Sequence, residues 1–435
     1  MKKFSAEKIL VSLLLVIFGG IVLHAPMSIW LGTVFPEQSM TIKAWKEVLM
    51  GVALVLLVGI LSRRHKWSDI FADWVIRLAG VYALVYFMLL IPLWQGAEAA
   101  IAGMFIDLRY VLFFVLVYST LRLFPGYRRL FIYTGIVGAL FVVAFSVLQV
   151  FVLPPDVLAI IGYGKTTIMP YLTVDMNHDY IRINSTLRGP NPLGAYAMIL
   201  LALCSALAVS GMYKKLVGWQ KVVFYSLIIG SLVALWWSYS RSALGATGIA
   251  AGVVVAAGFY QKIPRKVWVG GFIVVGIIGG LLFAARDSHF VANVILHENP
   301  QGGSVTKSND GHIDSLQDGT ARLIRQPFGA GIGSTGSASL DSDEPLIIEN
   351  QYLFIAHESG WLGLALFMAL FSLILQRLWH RKEDWLALGV LASGVGLAVI
   401  GLLQPVWVDD TVSIVWWGLA GIALGGVYGK RRKSK

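Results

Sequence analysis

Residues 98–120 read EAAIAGMFIDLRYVLFFVLVYST, an apolar run with only Asp107 and Arg109 charged in its middle. A helix needs about 20 mostly apolar residues to cross a bilayer, and this run is long enough. Over the whole chain of 435 residues, 57% are hydrophobic and 14% are charged, whereas a soluble domain has about 25% charged residues. One soluble core could not bury so much apolar surface. The run therefore predicts a membrane-spanning helix, and the composition predicts a membrane protein.

Similar runs recur along the chain and predict an all-α polytopic integral membrane protein with about twelve transmembrane helices. The predicted spans are residues 9–24, 45–61, 74–93, 98–120, 130–153, 191–212, 221–239, 242–260, 267–285, 350–376, 385–403 and 409–428. We predict a single multi-span membrane domain over residues 1–435, with an outer loop at 154–190. A second, larger outer-loop subdomain at 286–349 lies between the ninth and tenth helices.

The distribution of basic residues predicts the orientation. Alternate connections, among them SRRHK, QRLWHRKED and the final KRRKSK, hold most of the 35 lysines and arginines. Cytoplasmic loops carry such an excess, so both termini are predicted to be cytoplasmic and the two long loops to face outward. Topology thus accounts for the net charge of +11, and no basic stripe remains that would indicate a nucleic-acid partner. The single cysteine, Cys204, excludes an intrachain disulfide and a cysteine-based metal site.

Charged residues inside a span usually have a partner or face a wet cavity, because an unpaired charge in the bilayer is costly. Asp107 and Arg109 are two positions apart, which places them on different sides of a helix, so they are not expected to pair with each other. Two interpretations stay open for Arg109: an ion pair with another helix, or a binding site for an anionic head group.

The segment YIRINSTLRGPNPLGAY, residues 180–196, places Arg182 and Arg188 at the start of the sixth predicted span. Asn191 is a good N-cap, and Pro192 suits the first helical turn. A helix N-terminus beside an arginine attracts anions. A capped helix with an interfacial arginine is the alternative.

Two later segments repeat this chemistry or extend it. In SYSRSALG, residues 238–245, Arg241 occupies a short outer turn, and Ser240 or Ser242 can cap the helix that follows. The glycine-rich FGAGIGSTG, residues 328–336, lacks the GK[ST] of a phosphate loop and predicts a tight loop whose backbone approaches a ligand. The acidic segments VDMNHD and LDSDEP are interpreted as solvated loop residues, and no metal or other cofactor is expected.

Four segments, in order, resemble the O-antigen ligase and O-antigen polymerase family of bacterial envelope enzymes: RGPNPLGAY, SRSALG, PFGAGIGS and ENQYLFIAHESGWLG. The resemblance covers roughly residues 182–364. It implies transfer of a glycan from an undecaprenyl-pyrophosphate carrier at the outer face of the bacterial cytoplasmic membrane. The implied acceptor is a lipid A core for a ligase, another carrier-linked glycan for a polymerase, or a protein hydroxyl in a related branch.

The family commonly has a histidine directly before an asparagine at the mouth of the tenth span, where this chain has Glu349 and Asn350. Glu349 is therefore one candidate for the base that activates the acceptor, and an ion-pair role is its alternative. His312, in the preceding loop, is the other candidate base, whereas His357 is interpreted as a packed histidine. Arg322 is the nearest match to a loop arginine of the family.

Arginine binds phosphate through two parallel hydrogen bonds and stays charged, which suits a pyrophosphate leaving group. Arg188 and Arg241 are predicted to stabilise that group without a metal, which completes the catalytic set with Glu349 or His312. The predicted substrate-binding residues are Arg182, Arg109, Arg322, Asn191 and Asn350.

Two other classes of function stay open at this stage. A lipid-linked glycan transporter or flippase would favour inverted repeats and helices broken near the midplane, and the sequence suggests neither. A non-catalytic assembly subunit would not need outer arginines at helix starts. Protein O-oligosaccharyltransferase activity is the alternative within the transferase class.

Overall fold

In the computed structural model, the described residues are 5–174, 176–259, 308–340 and 345–426, with isolated positions between 280 and 291. The protein is mostly helical, at 77%. The longer helices and the two strands are α1 (Ala6–Gly20), α2 (His24–Val34), α3 (Ser39–Lys43), α4 (Trp45–Arg64), α5 (Trp67–Phe71), α6 (Trp74–Leu89), α7 (Ala97–Leu123), α8 (Arg128–Phe151), β1 (Leu172–Val174), β2 (Asn177–Arg182), α9 (Pro190–Val209), α10 (Gly218–Trp237), α11 (Arg241–Phe259), α12 (Ser308–Arg325), α13 (Gln351–Trp379), α14 (Trp385–Ile400) and α15 (Asp410–Gly425).

Within the described residues, eight helical segments are long and apolar enough to cross a membrane. One of them joins α1 and α2 into a single segment, Ala6–Val34. Three shorter apolar helices, α6, α14 and α15, coincide with three further predicted spans. The predicted span at 267–285 lies almost wholly outside the described residues. The helical membrane fold is therefore confirmed, and the number twelve stays a prediction.

The described residues also contain one pair of short strands that the sequence did not predict. β1 and β2 form an antiparallel hairpin in the loop before α9, with Leu172 opposite Arg182. The hairpin forms where the chain leaves the apolar runs, because extended backbone there must pair its own polar groups. Its last residue, Arg182, leads directly to the segment that carries Arg188.

Small residues let α7 and α15 approach closely. A methyl group added at Gly418 would lie 2.8 Å from the Phe113 ring, and one at Gly425 would lie 2.7 Å from the Tyr118 carbonyl oxygen. Such close approach is the usual basis of helix association in a bilayer. The Trp416 and Trp417 rings pack edge to face, with centroids 5.5 Å apart. The tight α7–α15 pair brings Arg109 and the N-terminus of α15 together.

An ionic cluster marks the face that carries the basic connections. Asp73 accepts from Arg122 of α7 and from Arg377 of α13, each at 2.7 Å. Arg128 of α8 pairs with Asp384, which precedes α14. With Asp73 as the N-cap of α6, these pairs join five helix ends on one face. Glu349 and Asn350 lie at the opposite end of α13.

Candidate functional site

Buried polar side chains hold the backbone that presents Arg188. Ser185 has a left-handed backbone, with φ of 50°. Its amide donates to Gln149 Oε1 at 2.9 Å and its hydroxyl to the Val142 carbonyl at 2.8 Å, both on α8. Asn184 Nδ2 donates to the Met169 carbonyl at 2.8 Å. The turn is thus anchored, and Arg188 extends from it with an exposed side chain at the start of α9.

The helix behind Arg188 begins one residue before the predicted cap. Gly189 is the N-cap and Pro190 is the first helical residue, so the prediction that Asn191 caps α9 was wrong. The Asn191 Oδ1 atom instead accepts from Arg182 Nη2 at 2.6 Å, and Arg182 Nε donates to the Ser238 carbonyl at 2.9 Å. Arg182 and Asn191 therefore tie α9 to the end of α10.

The α10–α11 turn, which carries Arg241, adjoins the same region. Arg241 is the first residue of α11, and the hydroxyls of Ser240 and Ser242 lie 3.2 Å apart. Gln404 Nε2 donates to Ser242 Oγ at 3.4 Å. A methyl group at Gly194 of α9 would lie 2.9 Å from Ser238 Oγ. Close packing thus brings the turn of Arg241 against the first turns of α9.

Two cavities meet at Arg188. The first, called the α9 cavity, has a volume of about 320 Å³ and lies between the start of α9 and residues 404–409. The second, called the α2 cavity, has a volume of about 490 Å³ and lies between α2, residues 166–168 and the start of α15. Arg188 and Asp409 are the described residues that line both cavities. The Arg188 guanidinium has no hydrogen bond or ion pair within the described part of the chain.

A charge network forms one wall of the α2 cavity. Asp410 is ion-paired with Arg109, and its Oδ2 atom lies 2.9 Å from His24 Nε2 and 3.7 Å from Lys46 Nζ. Lys46, only 3% exposed, also lies 3.1 Å from Glu47 Oε1. Two interpretations of Arg109 were open, and the structure shows the first of them, an ion pair with another helix. As expected, no ion pair joins Arg109 to Asp107 in the described part of the chain; Asp107 lies close to Glu358 instead.

The hydrogen bonds of His24 assign its tautomer. Trp45 Nε1–H donates to His24 Nδ1 at 3.0 Å, and an indole nitrogen can only donate. Nδ1 is therefore an acceptor, and Nε2 carries the proton that points to Asp410. In this arrangement His24 donates through Nε2. Asp410 thereby contacts side chains from three helices, α2, α4 and α7.

The glycine-rich segment lies against the protein's own backbone. A methyl group at Gly331 (φ 109°) would lie 2.2 Å from the Leu93 carbonyl oxygen, and one at Gly333 (φ 85°) would lie 2.1 Å from the Ala99 carbonyl oxygen. Glu358 Oε1 accepts from the Gly333 amide at 3.0 Å. These glycines were expected to allow close approach of the backbone to a ligand. In the structure they allow close approach to α7 and to the turn before it.

This segment also fills a break in α13, although no broken helix was expected from the sequence. Gly360 has φ 67° and ψ −170° inside the helix. The His357 carbonyl accepts from the Ala330 amide at 2.6 Å, and the Trp361 amide donates to the Pro327 carbonyl at 2.9 Å. Lipid offers no hydrogen bonds, so backbone groups at a break need protein partners. The glycine-rich segment supplies them.

Glu349 and Asn350 lie at the mouth of α13. Asn350 is the N-cap, and its Oδ1 atom accepts from the amides of Tyr352 and Leu353 at 2.9 and 3.1 Å. The Glu349 amide donates to Ser315 Oγ of α12 at 3.2 Å. His312 lies three positions before Ser315 on α12, and its side chain is outside the described part. The two candidate bases thus belong to adjoining segments.

Arg322, the loop arginine, and His357, the other histidine, have partners or surroundings of their own. Arg322 pairs with Asp318 at 2.7 Å, one turn earlier on α12. His357 is 4% exposed, and its Nδ1 atom has no hydrogen bond. Its burial agrees with the interpretation of a packed histidine. Asp175, Asp341 and Asp343 of the two acidic segments lie outside the described residues.

Sequence reasoning missed the network around Asp410. Asp410 falls at the start of the predicted span 409–428 and was assigned no partner, and Lys46 and His24 received no role. A signal was present, because Lys46 and Glu47 are charged residues inside the predicted span 45–61. Charged residues in a span call for a partner. The identity of that partner, more than 360 positions away in the chain, required the fold.

Together, the helices and the two cavities define a polytopic helical membrane protein with an arginine-lined site at one end of the bundle. Residues 226–368 match the family model described as O-antigen ligase. The match supports assignment of the chain to the O-antigen ligase and polymerase family, as its motifs predicted. It includes Arg241, Glu349 and the break in α13. No curated protein matches the chain.

Proposed function

We propose that the protein transfers a glycan from an undecaprenyl-pyrophosphate carrier to a hydroxyl acceptor at the outer face of the bacterial cytoplasmic membrane. The family match supports glycan transfer in general terms. The observation that carries the proposal is Arg188, whose guanidinium has no hydrogen bond or ion pair among the described residues and which lines two cavities at the N-terminus of α9. A guanidinium beside a helix N-terminus suits a pyrophosphate.

An apolar groove supports a lipid-linked donor. It has a volume of about 280 Å³, and its lining includes Tyr196 and Leu207 of α9 and Val415 of α15. The α9 cavity reaches Ala195 and Val412, which are close in sequence to Tyr196 and Val415 of the groove. At 1.5 Å per residue, the stretch from Tyr196 to Leu207 is about 17 Å long. A polyprenyl chain is a suitable occupant when its pyrophosphate lies at Arg188.

In this proposal Arg188 and Arg241 stabilise the charge that develops on the pyrophosphate as the sugar–oxygen bond breaks. No metal is required for that role. Arg182 and Asn191 hold the two arginine-bearing segments together and border the donor. Glu349 and His312 are the candidate bases from the sequence, and Asn350 holds the adjoining helix start. Arg109 acts through Asp410, and Arg322 stays a predicted substrate-binding residue.

The break in α13 is the one feature that favours the alternative of a carrier-linked glycan transporter, because transporters bind substrates at such breaks. Here the glycine-rich segment fills the break with main-chain hydrogen bonds. A transferase is therefore the better proposal. Ligase, polymerase and protein O-oligosaccharyltransferase activities differ only in the acceptor that receives the glycan.

The test uses the purified full-length protein in phospholipid vesicles with a carrier-linked glycan extracted from the native host. Release of undecaprenyl pyrophosphate together with a larger glycan is the expected result. Movement of intact carrier-linked glycan across the vesicle membrane, without release of carrier, would instead establish the transporter. Adding a candidate lipid, glycan or protein acceptor separately then identifies the acceptor.

A further inference from the structure

One carboxylate lies where the two cavities meet. Asp409 lines both the α9 cavity and the α2 cavity and is 8% exposed. Its Oδ1 atom accepts from the Val412 amide at 2.9 Å, while its second oxygen accepts no hydrogen bond in the described part of the chain. Arg188 interacts with it electrostatically. Because Asp409 lines both cavities, a hydroxyl group bound in either one can donate a hydrogen bond to this oxygen.

Asp409 and the neighbouring Asp410 have different surroundings. Asp410 is ion-paired with Arg109, His24 and Lys46. Asp409 uses one oxygen for the helix cap. Among the described residues Glu349 lines neither cavity. Asp409 is thus the carboxylate with a free oxygen beside Arg188.

The two cavities differ in chemistry. The α9 cavity contains the first turn of α9, and a helix N-terminus suits a pyrophosphate. The α2 cavity is lined by hydroxyl groups, including those of Ser28, Thr33, Ser39 and Thr166. A hydroxyl both donates and accepts hydrogen bonds, so this wall matches the hydroxyls of a sugar.

We propose that the α2 cavity binds a carbohydrate acceptor and that Asp409 is the catalytic base between acceptor and donor. This inference rests on the proposed function. The acceptor oxygen forms a bond to the anomeric carbon of the donor sugar, and the bond from that carbon to the pyrophosphate oxygen breaks. The electron pair leaves with the pyrophosphate, whose added charge Arg188 stabilises. The acceptor hydroxyl proton passes to the free oxygen of Asp409 and then to water.

The test compares Asp409→Asn, Asp409→Glu and Arg188→Ala in the vesicle assay, with undecaprenyl pyrophosphate as the binding probe. Asparagine keeps the helix cap and removes the charge. We expect Asp409→Asn to bind the probe as the wild type does while turnover falls by about 10²–10⁴-fold, the usual contribution of a general base. Asp409→Glu should recover part of that loss. Arg188→Ala should lose probe binding. Asp156→Asn, an exposed outer-loop change, is the matched control.

A second variant tests the acceptor cavity. Ser337 is exposed and lines the α2 cavity, so Ser337→Trp should raise the acceptor concentration needed for half-maximal rate and leave probe binding unchanged. Turnover of Asp409→Asn within twofold of the wild type would overturn the assignment of the base. Loss of probe binding in Asp409→Asn would reduce Asp409 to a positioning role for Arg188. Unchanged acceptor saturation in Ser337→Trp would overturn the acceptor site. If the wild type releases no carrier, the proposed function itself fails.

Discussion

Arg109, in the middle of α7, is ion-paired with Asp410, the first residue of α15, and also donates to the Val408 carbonyl. The pair lies beside Lys46 and His24, so α2, α4, α7 and α15 converge on one carboxylate. Asp409, which lines both cavities, directly precedes that carboxylate. The network therefore fixes the wall of the site, and Arg188, outside that network, is available to a substrate.

Removing one partner of this network should destabilise the fold. Arg109→Leu leaves Asp410 buried with less positive charge, and breaking a buried pair costs about 3–5 kcal/mol. Because Lys46 and His24 remain, we expect the low end of that range, measured as a fall in the thermal unfolding midpoint in detergent. The double variant Arg109→Leu/Asp410→Leu should lose less than the sum of the two single variants. Strict additivity would mean that the pair contributes no coupling.

Arg188 and Arg241 should both be required for transfer and not for membrane insertion. Changing either to alanine should abolish elongation or ligation in cells at an unchanged protein level. Lysine should restore little activity, because it is a point charge without the planar fork of arginine. Arg129→Ala, an exposed change at the start of α8, serves as the control. Full activity of both lysine variants would contradict the phosphate-clamp role.

Two variants can decide whether Glu349 or His312 acts as the catalytic base. If Glu349 is the base, Glu349→Gln should lower turnover by about 10²–10⁴-fold, and Glu349→His should keep part of the activity because it restores the family's residue. Normal turnover of Glu349→Gln with an inactive His312→Ala would assign the base to His312. Normal turnover of both variants is the result expected if Asp409 is the base.

Cys204 provides a probe of the apolar groove. It lines the groove and is 7% exposed, so the large ring of Cys204→Trp should occupy space intended for a lipid chain. We expect weaker binding of undecaprenyl pyrophosphate and little change for the short farnesyl pyrophosphate. Cys204→Ala, which leaves the groove open, is the matched control. Equal weakening for both lipids would indicate a general packing defect instead.

The orientation can be tested with the same background, since Cys204 is the single cysteine of the chain. In Cys204→Ala protein, a cysteine at Thr320 of α12 should react with an impermeant maleimide in spheroplasts. A cysteine at Lys382, between α13 and α14, should react only after the membrane is opened. The reverse pattern would invert the predicted topology.

The sequence was sufficient for features set by local chemistry. The apolar runs predicted helices that the structure contains, and the spacing of Asp107 and Arg109 predicted separate partners. The sequence was insufficient where a long-range contact decides the outcome. Asn191 accepts from Arg182 instead of capping α9, and Gly360 breaks α13 because residues 327–331 supply partners for its backbone. Hydrophobic periodicity carries no information on such pairings.

The break at Gly360 also bears on how the protein is made. Until Pro327 and Ala330 reach the helix, the Trp361 amide and the His357 carbonyl lack their partners, and lipid cannot replace them. Residues 327–331 are synthesised before α13, so they wait outside the helix until it has emerged and then close onto it. Membrane insertion of α13 and docking of the outer segment thus form one late assembly step. A lengthened or shortened segment before Pro327 would delay biogenesis rather than alter chemistry.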